Sequence, residues 1–125
     1  MIGYVTIGSN DLDRAGQFYD ALLGVIGAKR ITDAERYKMW GTSDNGPSFC
    51  VIKPFNGEAA TPGNGNMVSF ALDAPEKVDA LYKKALELGG TDEGPAGPRG
   101  EGGFYAGYFR DLEGNKLCGY CMVAK

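Results

Sequence analysis

Few side chains in this sequence could carry covalent or acid–base chemistry. Cys118-Gly119-Tyr120-Cys121 has the C-x-x-C spacing of redox and zinc motifs. Glu101, Tyr105 and Cys118, with Tyr4 as a further phenol, are the carboxylate, phenol and thiol groups available as acid or base. Histidine is absent, which excludes Ser-His-Asp and Cys-His triads, imidazole zinc sites and the commonest general base. No pair among the remaining groups has a spacing that identifies a reaction. The C-x-x-C match is weakened by its setting: 116–123 reads as a strand, in which residues three apart point to opposite faces. At ~3.3 Å per residue the two Cα atoms would be about 10 Å apart, beyond the ~7 Å reach of a disulfide. Two buried free thiols are expected instead, and a thiol on an apolar strand has its pKa raised and is unreactive.

The elements that must position these groups come in two copies. A shift of 63 positions lays Tyr4-Val5-Thr6-Ile7 over Met67-Val68-Ser69-Phe70, Phe18-Tyr19 over Leu81-Tyr82, Leu23 over Leu86 and Gly27 over Gly90. In each copy a β-branched or aromatic stretch (2–7 and 67–72) precedes a helix-start signal: Asp11 and Asp13 in one, Asp73 with Pro75-Glu76 in the other. Apolar residues at helical spacing follow, and the helices are closed by Gly24 and Gly27, and by Gly89-Gly90. Strands are expected next over 28–31, 36–41 and 48–53, and again near Thr91, over 103–110 and over 116–123. Turn formers separate them at 32–35 and 43–47, and 111–115 is a hairpin loop. The expected fold is α+β: two tandem βαβββ modules forming a curved mixed sheet around a cavity, with the helices on the outer face. The chain is read as one domain, with module one at 1–55, a linker at 56–65 and module two at 66–125.

Composition narrows the partners. With 43% hydrophobic and 23% charged residues the chain is ordinary globular material rather than disordered. A net charge of −3 argues against a nucleic-acid or acidic-membrane partner, and would not repel a cationic guest. No apolar run approaches the ~18 residues of a membrane span and no basic-then-apolar leader opens the sequence, so cytoplasmic residence is the expectation. Three cysteines do not describe a secreted disulfide framework.

Two βαβββ modules in sequence resemble the glyoxalase / bleomycin-resistance / extradiol-dioxygenase superfamily, the vicinal-oxygen-chelate proteins. Gly3-Tyr4-Val5-Thr6-Ile7-Gly8 with Asp11-Leu12-Asp13-Arg14-Ala15 and Phe18-Tyr19 is similar to the family opening. Gly63-Asn64-Gly65-Asn66-Met67-Val68-Ser69-Phe70 is similar to the start of its second module, and Phe109-Arg110-Asp111-Leu112-Glu113-Gly114-Asn115-Lys116-Leu117 to its closing hairpin. The resemblance implies a metal held by a histidine on the first strand of each module and a glutamate on the last. Here the histidine positions fall on Tyr4 and Met67, one glutamate position on Cys118 and the other within Phe49 to Lys53, near Ile52, where no carboxylate is available. No cofactor and no metal is therefore expected, because these groups do not suit nickel, iron or manganese. The same resemblance extends to metal-free members that sequester drugs between two subunits, and implies a homodimer.

Strand alternation proposes a cavity lining. Tyr4 and Thr6 share a face, as do Met67 and Ser69, and Cys118 and Tyr120, while Val5, Ile7, Val68 and Phe70 turn toward the helices. Trp40 is either core or a stacking wall for a flat ligand. Tyr105 points opposite to Phe104 and Tyr108, so one set must be core. The glycine-rich segment 94–103 reads as a long loop over the site mouth, carrying Arg99 and Glu101. The ligand-binding set is thus Tyr4, Thr6, Trp40, Met67, Ser69, Arg99, Tyr105 and Cys118. The expected function is binding of a small organic molecule, flat or cationic, in a metal-free cavity. The alternatives are a lyase, isomerase or dioxygenase-like enzyme with an atypical site, or an interaction module with no ligand.

Overall fold

The structure is a computed structural model, and it describes residues 1–43 and 45–124. Module one runs β1 (Tyr4–Gly8), α1 (Leu12–Gly24), β2 (Lys29–Asp33), β3 (Tyr37–Gly41) and β4 (Ser48–Ile52). Module two repeats the order with β5 (Val68–Ala71), α2 (Pro75–Glu87), β6 (Thr91–Pro98), β7 (Phe104–Arg110) and β8 (Lys116–Met122). The two helices start and end 63 positions apart, Leu12 against Pro75 and Gly24 against Glu87. Each module closes its own four-stranded mixed sheet, ordered β1-β4-β3-β2 and β5-β8-β7-β6. In both, the first strand runs parallel to the last and the other neighbours are antiparallel. No helix among the described residues is long and apolar enough to cross a membrane.

The amphipathic pattern of each helix decides which sheet face it covers. Leu12, Ala15, Phe18, Tyr19, Leu22 and Leu23 form the buried stripe of α1, and Val78, Leu81 and Ala85 that of α2. These stripes meet Trp40, Phe49, Val51, Phe109 and Leu117 in one core that spans both modules, with Val5, Ile7, Val68 and Phe70 packed against it. An edge-to-face contact between Phe49 and Phe70, 5.4 Å between ring centres, joins the two sheets.

Several local expectations are modified. Asp11 caps α1, its side chain accepting from Arg14 N at 3.1 Å. The second helix starts on Ala74 with Pro75 in its first turn, and Asp73 pairs with Lys77 at 2.8 Å rather than capping. The first half of the supposed lid, 94–98, is strand, and 99–103 is the turn before β7. β6 runs to Pro98 as an edge strand with register shifts between Asp92 and Gly94 and between Gly94 and Gly97. Gly94 and Gly97, two of the glycines that suggested a loop, stand at those shifts, while Gly100, Gly102 and Gly103 lie in the turn that follows. The 43–47 turn includes Asp44, which lies outside the described residues.

The closing hairpin reaches back into module one. Glu113 accepts from Ser9 Oγ at 2.5 Å and from the backbone amides of Asn10 and Asp11 at 2.9 and 3.2 Å. It therefore occupies the positive end of the α1 dipole, where a carboxylate is favoured. Asp111 accepts from Tyr19 Oη at 2.6 Å, and Asn115 donates both to Asp111 at 3.0 Å and to the Gly8 carbonyl at 3.1 Å.

Candidate functional site

With both helices on one side, the opposite face of each sheet is left open. Tyr4 on β1 is 65% exposed and Met67, just before β5, is 44% exposed; Thr6 and Ser69 are exposed beside them. These four stand where alternation put them, away from the helices. Thr6 and Met67 also line one groove of about 460 Å³ between the two modules, closed by Thr61, Pro62, Asn66 and Lys116.

Sheet register corrects one of the expected corners. Ser69 pairs with Cys118 on β8, and its repeat counterpart Thr6 pairs with Cys50 on β4. Cys50, not the neighbourhood of Ile52, is the module-one counterpart of Cys118. The family's coordinating positions thus carry a phenol, a thioether and two thiols: Tyr4, Met67, Cys50 and Cys118. Burial pushes both thiols up from their ordinary pKa, so near neutrality they are protonated rather than metal-binding thiolates. Among the described residues no three His, Cys, Asp or Glu side chains converge on a point. This donor set does not fit the hard-ligand metal that the resemblance implies.

Module two supplies the richer surface. Cys118 is 1% exposed and hydrogen-bonds weakly to the Gly119 carbonyl at 3.6 Å. Desolvation raises its pKa, while the hydroxyls of Ser69 and Tyr108 and the charges of Arg99 and Lys116 pull it down. Tyr108 pairs with Cys118 across β7 and β8, and its ring has the Arg99 guanidinium 5.4 Å and the Lys116 ammonium 5.6 Å from its centre. Phe104 and Tyr120 stack on the same face at 5.5 Å. Lys116 was not singled out from the sequence, and Phe104 and Tyr108 only as one side of an aromatic run of which one set must be core. The signal that finds them is alternation along β7 and β8 once Cys118 is fixed on the open face.

Two expected lining residues lie elsewhere. Trp40 is 1% exposed beneath α1, donating Nε1–H to Asp20 at 2.8 Å, with Arg30 over its ring at 5.5 Å. It is core, because β3 pairs it with Phe49, which β4 in turn pairs with helix-facing Val5. Tyr105 also sits on the helix side, its hydroxyl donating to Asp79 of α2 at 2.6 Å. The weak acid–base candidates Glu101, Tyr105 and Cys118 are consequently dispersed. Cys118 is on the open face, Tyr105 is on the other, and Glu101 is exposed in the turn between β6 and β7. Arg99 does reach the open face, with its guanidinium also bonded to the carbonyls of Gly97 and Pro95 at 2.9 and 2.6 Å.

The comparisons agree with this architecture. The family model described as Glyoxalase/Bleomycin resistance protein/Dioxygenase superfamily matches residues 1–118. A glyoxalase/bleomycin resistance protein from Albidiferax ferrireducens T118 is 37% identical, covering 97% of this chain and 98% of that one, with a TM-score of 0.88. A family enzyme from Burkholderia phytofirmans PsJN is 18% identical over 97% of this chain and 98% of its own, with a TM-score of 0.78. The fosfomycin resistance protein FosX from Listeria monocytogenes is 19% identical over 97% and 92%, with a TM-score of 0.71. At that identity the last two speak for the fold alone. No curated protein matches the sequence.

Proposed function

The chain belongs to the glyoxalase/bleomycin resistance protein/dioxygenase superfamily, and from that premise we propose that it binds a small organic molecule on the open sheet faces without a resident metal. One observation carries the reading: the four coordinating positions hold Tyr4, Met67, Cys50 and Cys118, a soft and largely neutral set. Side chains of this kind favour contact with carbon and aromatic surface over an ion. Apolar groups on the open faces, Tyr4 and Met67 together with Met122 at 63% exposure, support pairing of two copies around the ligand. The site then belongs to a homodimer rather than to one chain.

A second reading, an enzyme of lyase, isomerase or dioxygenase type, is favoured by the Ser69, Tyr108 and Cys118 cluster, in which hydroxyls adjoin a thiol. Elemental analysis of protein purified without an affinity tag separates the two. The binding reading expects far less than one metal per chain. One tightly held equivalent of nickel, zinc, iron or manganese overturns it. A ligand present at 100 times its dissociation constant should add about 2.7 kcal/mol of stability, a clear rise in Tm.

A further inference from the structure

The whole chain is acidic, which suggests a cationic guest, but the open face of module two has the opposite local character. Arg99 follows β6 and Lys116 lies on β8, with β7 between them in the sheet. Their charges approach Tyr108 from these two sides, both within 5.6 Å of the same ring centre. Neither cation has a carboxylate partner among the described residues, whereas Arg14, Arg30, Lys38, Lys77 and Arg110 all do. Glu93 on the neighbouring β6 is already held by Arg110 at 2.5 Å. Arg99 is fixed by carbonyls of Pro95, Gly97 and Pro98. Those bonds orient the guanidinium without neutralising it. Lys116 has no hydrogen-bond or ion-pair partner among the described residues.

Two uncompensated cations facing one ring repel each other, and the negative face of the ring offsets that only in part. An oxyanion bound beside Tyr108 would offset that charge, with the Tyr108 and Ser69 hydroxyls as further donors beside Cys118. We infer that the ligand carries a carboxylate or phosphate-type oxyanion, attracted by Arg99 and Lys116 on the two sides of Tyr108, with its apolar part against the stacked Phe104–Tyr120 pair. This rests on the small-molecule reading above and adds the chemical class that module two selects.

Calorimetry and backbone-amide NMR on the full chain test it, with benzoate and phenyl phosphate as anionic probes and benzamide and benzylammonium as neutral and cationic controls. The anionic probes should bind, shift the amides of Ser69, Tyr108 and Cys118, and weaken as salt is raised. Lys116→Met and Arg99→Met should each reduce their affinity at least tenfold, and Lys116→Arg should restore it. Arg99 also pins three carbonyls, so if its variant misfolds, Lys116→Met alone decides. Benzamide or benzylammonium binding this face as tightly as benzoate, or Lys116→Met binding benzoate like the parent, overturns the inference and leaves the small-molecule reading standing. Failure of all four probes to bind brings down the inference, and a wider compound screen with no hit then brings down the reading beneath it.

Discussion

At the scale of single residues, the Tyr19–Asp111 contact decides more than its size suggests. The Asp111 carboxylate is 5% exposed and accepts from Tyr19 Oη, from Asn115 Nδ2 and from the amides of Glu113 and Asn115. Tyr19→Phe removes one donor and leaves a buried charge short of a partner, so a loss of about 1.5–3 kcal/mol is expected in urea unfolding. Burial first, then the adjacent Asp111 charge, hold the Tyr19 phenol well above its usual pKa. A group whose folded pKa is raised contributes stability below its unfolded pKa and loses it above, so stability should fall from about pH 10 upward. In Tyr19→Phe that alkaline fall should be shallower. The sequence announced the Asp111–Asn115 hairpin as a motif, but not Tyr19 as its partner, because 92 residues separate donor and acceptor. Trp40 was ambiguous for a related reason. Its face depends on register carried from β1 through β4 to β3, which local alternation cannot supply.

At the scale of elements, the existence and starts of the helices were legible because their apolar stripes, the Asp11 cap and Pro75 are local signals. Their ends were read from glycines that turn out to do different work. Gly24 lies inside α1, and a Cβ there would meet nothing within 4 Å. Gly90 has ordinary backbone angles, yet a Cβ would lie 2.6 Å from the Arg110 carbonyl oxygen and 2.8 Å from that of Ala85. Gly90→Ala must therefore push α2 away from β7, at an expected cost of about 1–3 kcal/mol. Gly24→Ala should be neutral or stabilising by up to about 1 kcal/mol, since it only removes glycine's helix penalty. Thermal melts of the pair check both signs. Segment 94–103 was misread because glycine and proline mark both loops and bulged edge strands. Only the ladder to β7 separates the two.

At the scale of the molecule, the duplicated order of elements was plain in the sequence, whereas the meeting of the two halves was not. The sequence led us to expect one curved sheet. The structure has two sheets, joined through a shared core and the Phe49–Phe70 contact. Both open faces present apolar side chains, and sedimentation should show a two-chain species at micromolar concentration. Tyr4→Asp or Met122→Asp, each on an exposed side chain, should shift it toward single chains without loss of helix signal. A monomer at all concentrations would remove the dimeric site.

Glu113 has a consequence for how the protein is born. The amides at the start of α1 are satisfied by a carboxylate about a hundred residues later in the chain. During synthesis the first helix is made well before the β7–β8 hairpin exists, and until then the Asn10 and Asp11 amides leading into it have only water in place of Glu113. The early half waits, frayed at that end, and the late hairpin sets it. An interrupted translation product ending near residue 60 should consequently be cut by proteases close to Ser9–Asp11, a stretch that the finished protein protects.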